Sequence, residues 1–184
     1  YEWITYQALD QAVVRLQSHL HNDIQPLDHM AIISPNSVEW VMIAYAGLGL
    51  GAAITPMYAS QHPDEWIYIL NDCQISRCFV ANNTILNILI ERQHELPHIK
   101  EFILINGEYN NGRVVSDLLA TTNDTSHFSR DIDPQSTAFI IYTSGTSGKP
   151  KGVVLTHDNI IKKVNNIGQT VQDCNDHFGI ESIQ

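Results

Sequence analysis

Apolar residues along this chain alternate between two patterns, a helical spacing and short unbroken runs. Within residues 7–20, Leu9, Ala12, Val13, Leu16 and Leu20 fall at helical spacing, which puts them on one face of a helix. Residues 28–34 hold the run from Met30 to Ile33, which reads as a buried strand. Pro35 and Asn36 break that run, and Asn36 with Glu39 three residues on resembles a capping box opening a helix to about Leu48. The glycines at 47, 49 and 51 end this helix and allow close packing on the next strand, residues 52–56. Strand, helix, strand is a right-handed crossover by default. Residues 1–5 read as a strand arriving from something earlier, because Tyr1 is not a methionine.

The alternation then repeats. Residues 62–72 open with Pro63 in the first turn and the acids Asp64 and Glu65 near the positive end of the dipole, and so predict a helix. Residues 77–81 predict a short strand, and residues 84–95 a helix with Ile85, Leu86, Leu89 and Ile90 inward, closed by Pro97. Residues 102–105 are another apolar strand, 106–112 a turn-rich connector and 114–119 a short helix at most. The class is therefore α/β with strands largely parallel. Residues 120–135 are polar, acidic and Pro-terminated, the best linker candidate in the chain.

Residues 138–142 predict a core strand, and there the apolar character stops. From Thr143 to Ser147 every residue carries a hydroxyl or is a glycine, so the backbone N–H groups can turn toward one point and bind an anion. Thr143, Ser144, Thr146 and Ser147 add hydroxyl donors, Lys149 and Lys151 add positive charge, and Pro150 stiffens the turn between the lysines. A polyphosphate suits this loop best. Residues 152–155 return as a strand, Thr156 or Asp158 caps a helix through about Val171, and residues 179–184 read as a strand cut short.

Composition narrows the function. At 184 residues and 43% hydrophobic content the chain can bury one sizeable core. Its formal net charge of −10 argues against a nucleic-acid or anionic-membrane surface. Of the ten Lys and Arg, Lys149, Lys151, Lys162 and Lys163 cluster at and after the loop, although Lys162 and Lys163 read first as a solvated helix face. Cys73, Cys78 and Cys174 match no zinc or disulfide spacing, which suits a reduced, cytoplasmic compartment. His94 and His98 stand four apart, but Pro97 should end the helix that would align them on a metal. The triplets beginning at Asn82 and Asn123 fit the glycosylation pattern by coincidence, since no secretory segment precedes them. No apolar run approaches the ~18 residues that span a bilayer.

The loop fails the Walker A pattern, because the sixth position from Gly145 is Pro150. The stretch Y-T-S-G-T-S-G-K-P-K-G-V, residues 142–153, instead resembles the phosphate-binding motif of the adenylate-forming acyl-CoA synthetases, the AMP-binding superfamily, with Ser147 where Thr is more usual. A second, looser match covers P-N-S-V-E-W and G-L-G-L-G-A-A-I-T-P-M-Y. The words at residues 56–70, 92–100 and 155–160 are similar to long-chain fatty acyl-CoA synthetases of the bubblegum type.

The resemblance implies part of the layered α/β N-terminal domain of these enzymes, residues 1–184, cut at both ends, with helices on both faces of the sheet. It implies activation of a long-chain fatty acid by ATP to an acyl-adenylate and then, with coenzyme A, to acyl-CoA, releasing AMP and pyrophosphate. An aryl or medium-chain synthetase, or an inactive nucleotide- or partner-binding remnant, are the alternatives. Carried over, Thr143, Ser144, Gly145, Thr146, Ser147, Gly148, Lys149, Lys151 and Gly152 hold the ATP phosphates, and Thr143 also faces Mg²⁺. The family's Thr-Glu pair, ribose-binding aspartate and mobile-domain lysine have no counterpart here. The expectation is that no catalytic residue lies in these residues, that the chain alone forms no acyl-adenylate, and that the parent enzyme makes at most peripheral membrane contact.

Overall fold

A computed structural model describes residues 3–121, 130–144 and 149–178, with side chains up to residue 170. Six helices and six strands follow in order: α1 (Tyr6–Leu20), β1 (His29–Ile33), α2 (Val38–Gly49), β2 (Ala53–Met57), α3 (Pro63–Asp72), β3 (Arg77–Val80), α4 (Asn83–Glu91), β4 (Glu101–Leu104), α5 (Val115–Ala120), β5 (Thr137–Thr143), β6 (Lys151–Thr156) and α6 (His157–Phe178). The strands form one sheet in the order β4-β3-β1-β2-β5-β6. Every neighbouring pair is parallel except β5–β6, which is antiparallel.

Alternate residues of β1 to β5 supply two cores, whereas residues 151–154 of β6 are exposed. Ala31, Ile33, Cys78, Val80, Phe102 and Leu104 pack under α3 and α4. Met30, Ile32, Ile54, Phe79 and Ile103 pack under α1, α2 and α5. Burial of β1 to β4 on both faces explains why these strands read as unbroken apolar runs rather than as an alternation. Close approach of α2 to the sheet depends on Gly47, where an added Cβ would lie 2.7 Å from Ile54 Cδ1.

Four local expectations are corrected. The segment before α1 is not a strand over residues 3–5. Instead Thr5 caps α1, its hydroxyl accepting from the Ala8 N–H at 3.1 Å, and Trp3 stands in solvent. The cap of α2 is Ser37, which accepts from the Trp40 N–H at 3.1 Å, one residue after Asn36. The helix expected over 84–95 ends at Glu91, where Arg92 leaves helical geometry and a 3₁₀ turn, Gln93–Glu95, follows. Within α4, Ile90 lies off the buried face, 39% exposed, while Ile85, Leu86 and Leu89 point in. Finally, α6 continues to Phe178, beyond the expected end near Val171.

The segment expected as a linker is tied down at its C-terminal end, and residues 122–129 lie outside the described residues. Arg130 donates to Ile24 O at 2.9 Å, Leu50 O at 2.8 Å and His21 O at 2.7 Å. A guanidinium there neutralises carbonyls at the C-terminal ends of α1 and α2 together. The strand expected at 179–184 also lies outside the described residues. Among the described residues, no helix is long and apolar enough to cross a membrane.

At the start of α6, Thr156 and Asn159 bond reciprocally, Thr156 N–H to Asn159 Oδ1 at 3.1 Å and Asn159 N–H to Thr156 Oγ1 at 3.2 Å. The next residue, His157, has its Nε2 buried without a hydrogen-bond partner, and burial holds its pKa below the ordinary histidine range. The folded state therefore binds fewer protons at this site than the unfolded chain. Its contribution to stability is present above about pH 6.5, the unfolded histidine value, and is lost as pH falls through the lower folded value. Urea midpoints measured across that window are expected to fall on acidification, and to fall less steeply in His157→Gln. Equal slopes would remove His157 as the cause.

Candidate functional site

The chemistry collects at the C-terminal edge of the parallel strands, where open α/β sheets place their ligands. Strands β5 and β6 form a hairpin whose last pair is Thr143 opposite Lys151, preceded by Tyr142 opposite Gly152. The loop therefore joins two antiparallel strands rather than opening a helix. Thr143, Ser144, Lys149, Lys151 and Gly152 are all exposed. Gly145, Thr146, Ser147 and Gly148 lie outside the described residues. Gly152 sits close under its neighbours: a Cβ would lie 3.0 Å from Ile140 Cγ2 and 3.2 Å from Tyr142 Cζ, so both side chains would have to shift slightly to admit one.

Beside the hairpin lies a cleft of about 240 Å³ lined by Ser34, Asn36, Trp40, Pro56, Met57, Tyr58, Gln61, Ile141 and Tyr142. Pro56 accounts for its position. The Ala53 N–H bonds Asp28 O at 2.9 Å on the β1 side, and strand N–H groups alternate sides, so position 56 faces β5. Proline has no N–H to give there. Among the described residues the register pair between β2 and β5 is Ile54 with Phe139, and the C-terminal residues Pro56, Met57, Ile141 and Tyr142 of the two strands line the cleft. The rim is held by Tyr58, whose N–H donates to Gln61 Oε1 at 2.9 Å and whose carbonyl accepts from Trp66 Nε1 at 3.0 Å.

A directed chain of hydrogen bonds ties the hairpin to α3. Thr55 Oγ1 donates to Cys73 Sγ at 3.7 Å, and Cys73 Sγ lies 3.2 Å from Tyr142 Oη. The Tyr142 hydroxyl itself donates to Asp72. With that proton committed to Asp72, the thiol hydrogen is the one available to the Tyr142 oxygen. Burial first, and then the bonds to Asp72 and Cys73, push the Tyr142 pKa far above the ordinary tyrosine value, so the phenol stays neutral. On the other side of the loop, Lys149 Nζ stands 5.9 Å from the centroid of the Tyr68 ring.

A model of the AMP-binding enzymes matches residues 1–181. The chain belongs to the AMP-binding enzyme family. It is 31% identical over 176 residues to the peroxisomal long chain acyl-CoA synthetase 6 of Arabidopsis thaliana, with 89% of this chain and 25% of the relative covered. It is 29% identical over 169 residues to the medium-chain fatty-acid–CoA ligase of Escherichia coli, with 85% of this chain and 29% of that one covered. Among solved structures, the anthranilate CoA ligase AuaEII in complex with anthranoyl-AMP superposes with a TM-score of 0.77 at 21% identity, covering 84% of this chain and 30% of that one. That last likeness is one of fold. The chain spans about a quarter of the length of the curated relatives it matches.

Membership in this family agrees with the layered α/β class and with helices on both faces of a largely parallel sheet. Sequence reading found the hairpin but missed the cleft residues Trp40, Tyr58 and Gln61, and it missed Tyr68 and Asp72. Tyr68 and Asp72 did leave a trace, as polar-tipped residues four apart on a helix whose apolar positions are Trp66, Ile67, Ile69 and Leu70. Among the described residues, no group of three or more His, Cys, Asp or Glu is placed to hold a metal ion. The oxygens that stand at the hairpin mouth are the exposed hydroxyls of Thr143 and Ser144. That donor set fits a Mg²⁺ held mainly by phosphate oxygens and water.

Proposed function

We propose that this chain carries the ATP-phosphate site of an enzyme that activates a long-chain fatty acid with ATP and passes it to coenzyme A. The observation that carries the reading is the hairpin that sets Thr143 opposite Lys151 at the C-terminal edge of the sheet, beside a cleft. In the reaction a carboxylate oxygen attacks the α-phosphorus, the bond to the β-phosphate oxygen breaks and pyrophosphate leaves. The thiol of coenzyme A then attacks the acyl carbon and AMP leaves.

Charge on the departing pyrophosphate is what this hairpin is suited to hold. Lys151 supplies the cation. Thr143, Ser144 and the amides and hydroxyls of Gly145, Thr146, Ser147 and Gly148 supply donors, and Gly152 lets the strands close tightly enough to present them. Mg²⁺, when bound, would be held by the Thr143 hydroxyl and would neutralise phosphate charge. The free, buried thiols Cys73 and Cys78 suit a reducing cytosol, where the enzyme would meet its fatty acid in solution or at a membrane surface.

Long-chain preference is supported by the similarity to the Arabidopsis synthetase and by the words at residues 56–70 and 92–100. Medium-chain preference has its own support in the nearly equal identity to the E. coli enzyme. The protein carrying this chain, assayed with ATP, coenzyme A and acids of graded length plus an aryl acid, is expected to give its highest kcat/KM on a long-chain acid. An optimum at medium length or on the aryl acid would reassign the substrate. ATP binding without turnover of any acid would identify a nucleotide-binding remnant.

A further inference from the structure

The two flanks of the hairpin loop reach the same helix at positions one turn apart. Tyr142, just before the loop, donates its hydroxyl to Asp72, and Lys149, near the loop's end, stands over the ring of Tyr68. Residues 68 and 72 are four apart on α3 and so present neighbouring side chains. The support beneath them is buried. Trp66, Ile67, Ile69 and Leu70 are buried, and the Tyr68 ring packs against the same core. The start of α3 is tied to the end of α4 by Arg92, which bonds Asp64 at 2.5 Å and Glu95 at 2.6 Å.

We propose that α3 sets the position of the phosphate-loop hairpin by gripping both flanks, and that Lys149 acts through Tyr68 as a positioning residue rather than as a phosphate ligand. This rests on the reading above that the loop receives the phosphates of ATP. The ladder between β5 and β6 ends at Thr143 and Lys151, so it fixes the hairpin stem but not its lean relative to the rest of the sheet. The Tyr142–Asp72 bond and the Lys149–Tyr68 contact supply that constraint from one side. An aromatic face attracts an ammonium without neutralising it, so Lys149 still adds positive potential near the loop while its head is held away from direct coordination.

The test is hydrogen exchange on the ligand-free protein, read at the amides of residues 143, 144, 149, 151 and 152. Tyr68→Leu and Lys149→Met are each expected to speed exchange there about two- to fivefold, the double variant no further than either single one, and Tyr68→Phe and Lys149→Arg hardly at all. Asp72→Asn should loosen the amides nearest Tyr142 more than those nearest Lys149. Calorimetric titration of the same proteins with ATP and with inorganic tripolyphosphate is expected to show weaker binding in Tyr68→Leu, and weaker still in Lys149→Met, which loses the positive potential as well as the contact. Unchanged exchange in Lys149→Met, a surface substitution that spares the core, would overturn the proposal. So would weaker tripolyphosphate binding in Lys149→Met with unaltered binding in Tyr68→Leu, the pattern of a direct ligand. If the unsubstituted protein bound neither ligand, the phosphate reading would fail, while the exchange rates would still decide whether α3 grips the hairpin.

Discussion

In the protein that carries this chain, replacing Lys151 by alanine is expected to lower kcat/KM for ATP in pyrophosphate exchange by about one to two orders of magnitude. Hydrogen bonds between charged partners contribute on the order of 1.5–3 kcal/mol, and each 1.4 kcal/mol is a factor of ten. Lys151 is the first residue of β6 and pairs across the hairpin with Thr143, so its backbone is fixed while its side chain is exposed. The substitution removes the charge and leaves the ladder intact, so the urea midpoint should not move. Arginine at 151 would keep the charge but alter the donor geometry, and intermediate activity is expected. Exchange activity in Lys151→Ala equal to that of the unsubstituted protein would show that residue 151 does not touch the phosphates.

Phe79→Ala is expected to cost about 3–5 kcal/mol of folding free energy, the usual range for removing a fully buried aromatic ring. Phe79 is the largest of the fully buried side chains and lies on β3, in the core beneath α1, α2 and α5. Natural domains of ordinary stability have about 5–15 kcal/mol in total, so most of the margin would go. Chemical denaturation should show a markedly lower midpoint, and expression at 37 °C should fall. Trp3→Ala is the matched control, because Trp3 is 97% exposed and its loss should change stability by no more than about 0.5 kcal/mol. A small effect at Phe79 would mean that the core under α1 closes around the cavity.

What could be read from the sequence was what is local in it. The strand runs are contiguous, and the hairpin motif occupies twelve consecutive residues, so both were legible without knowing what lies near them. Caps were legible in kind but not in position: Pro35-Asn36-Ser37 offers two good cap residues in succession, and the one with an acid three residues on was not the one used. The inward face of α4 failed at Ile90 because four of the five isoleucines and leucines between 85 and 90 already cover the core-facing side, and apolar spacing in so dense a run does not mark which residue is left outside. The contacts that build the site were hidden for a different reason. Tyr142 and Asp72 are 70 residues apart, and Arg130 reaches carbonyls 80 to 109 residues away. No periodicity encodes such pairs, because they depend on strand order in the sheet.

The narrow seam between β2 and β5 has a thermodynamic consequence. On one side of it, β1 to β4 are joined to each other by ladders of four or five register pairs, whereas β5 meets β2 through one. Cooperative units in proteins tend to separate where few ladder bonds cross. The β5–β6 hairpin crosses that seam with few ladder bonds but with Ala138 and Ile140 buried and Phe139 packed on the core, so a sub-global opening of it costs that apolar packing as well as the Arg130 and α3 contacts. A polyphosphate that binds only the attached hairpin would deepen the docked basin by mass action, so substrate concentration would tune the local stability of this segment as well as its occupancy.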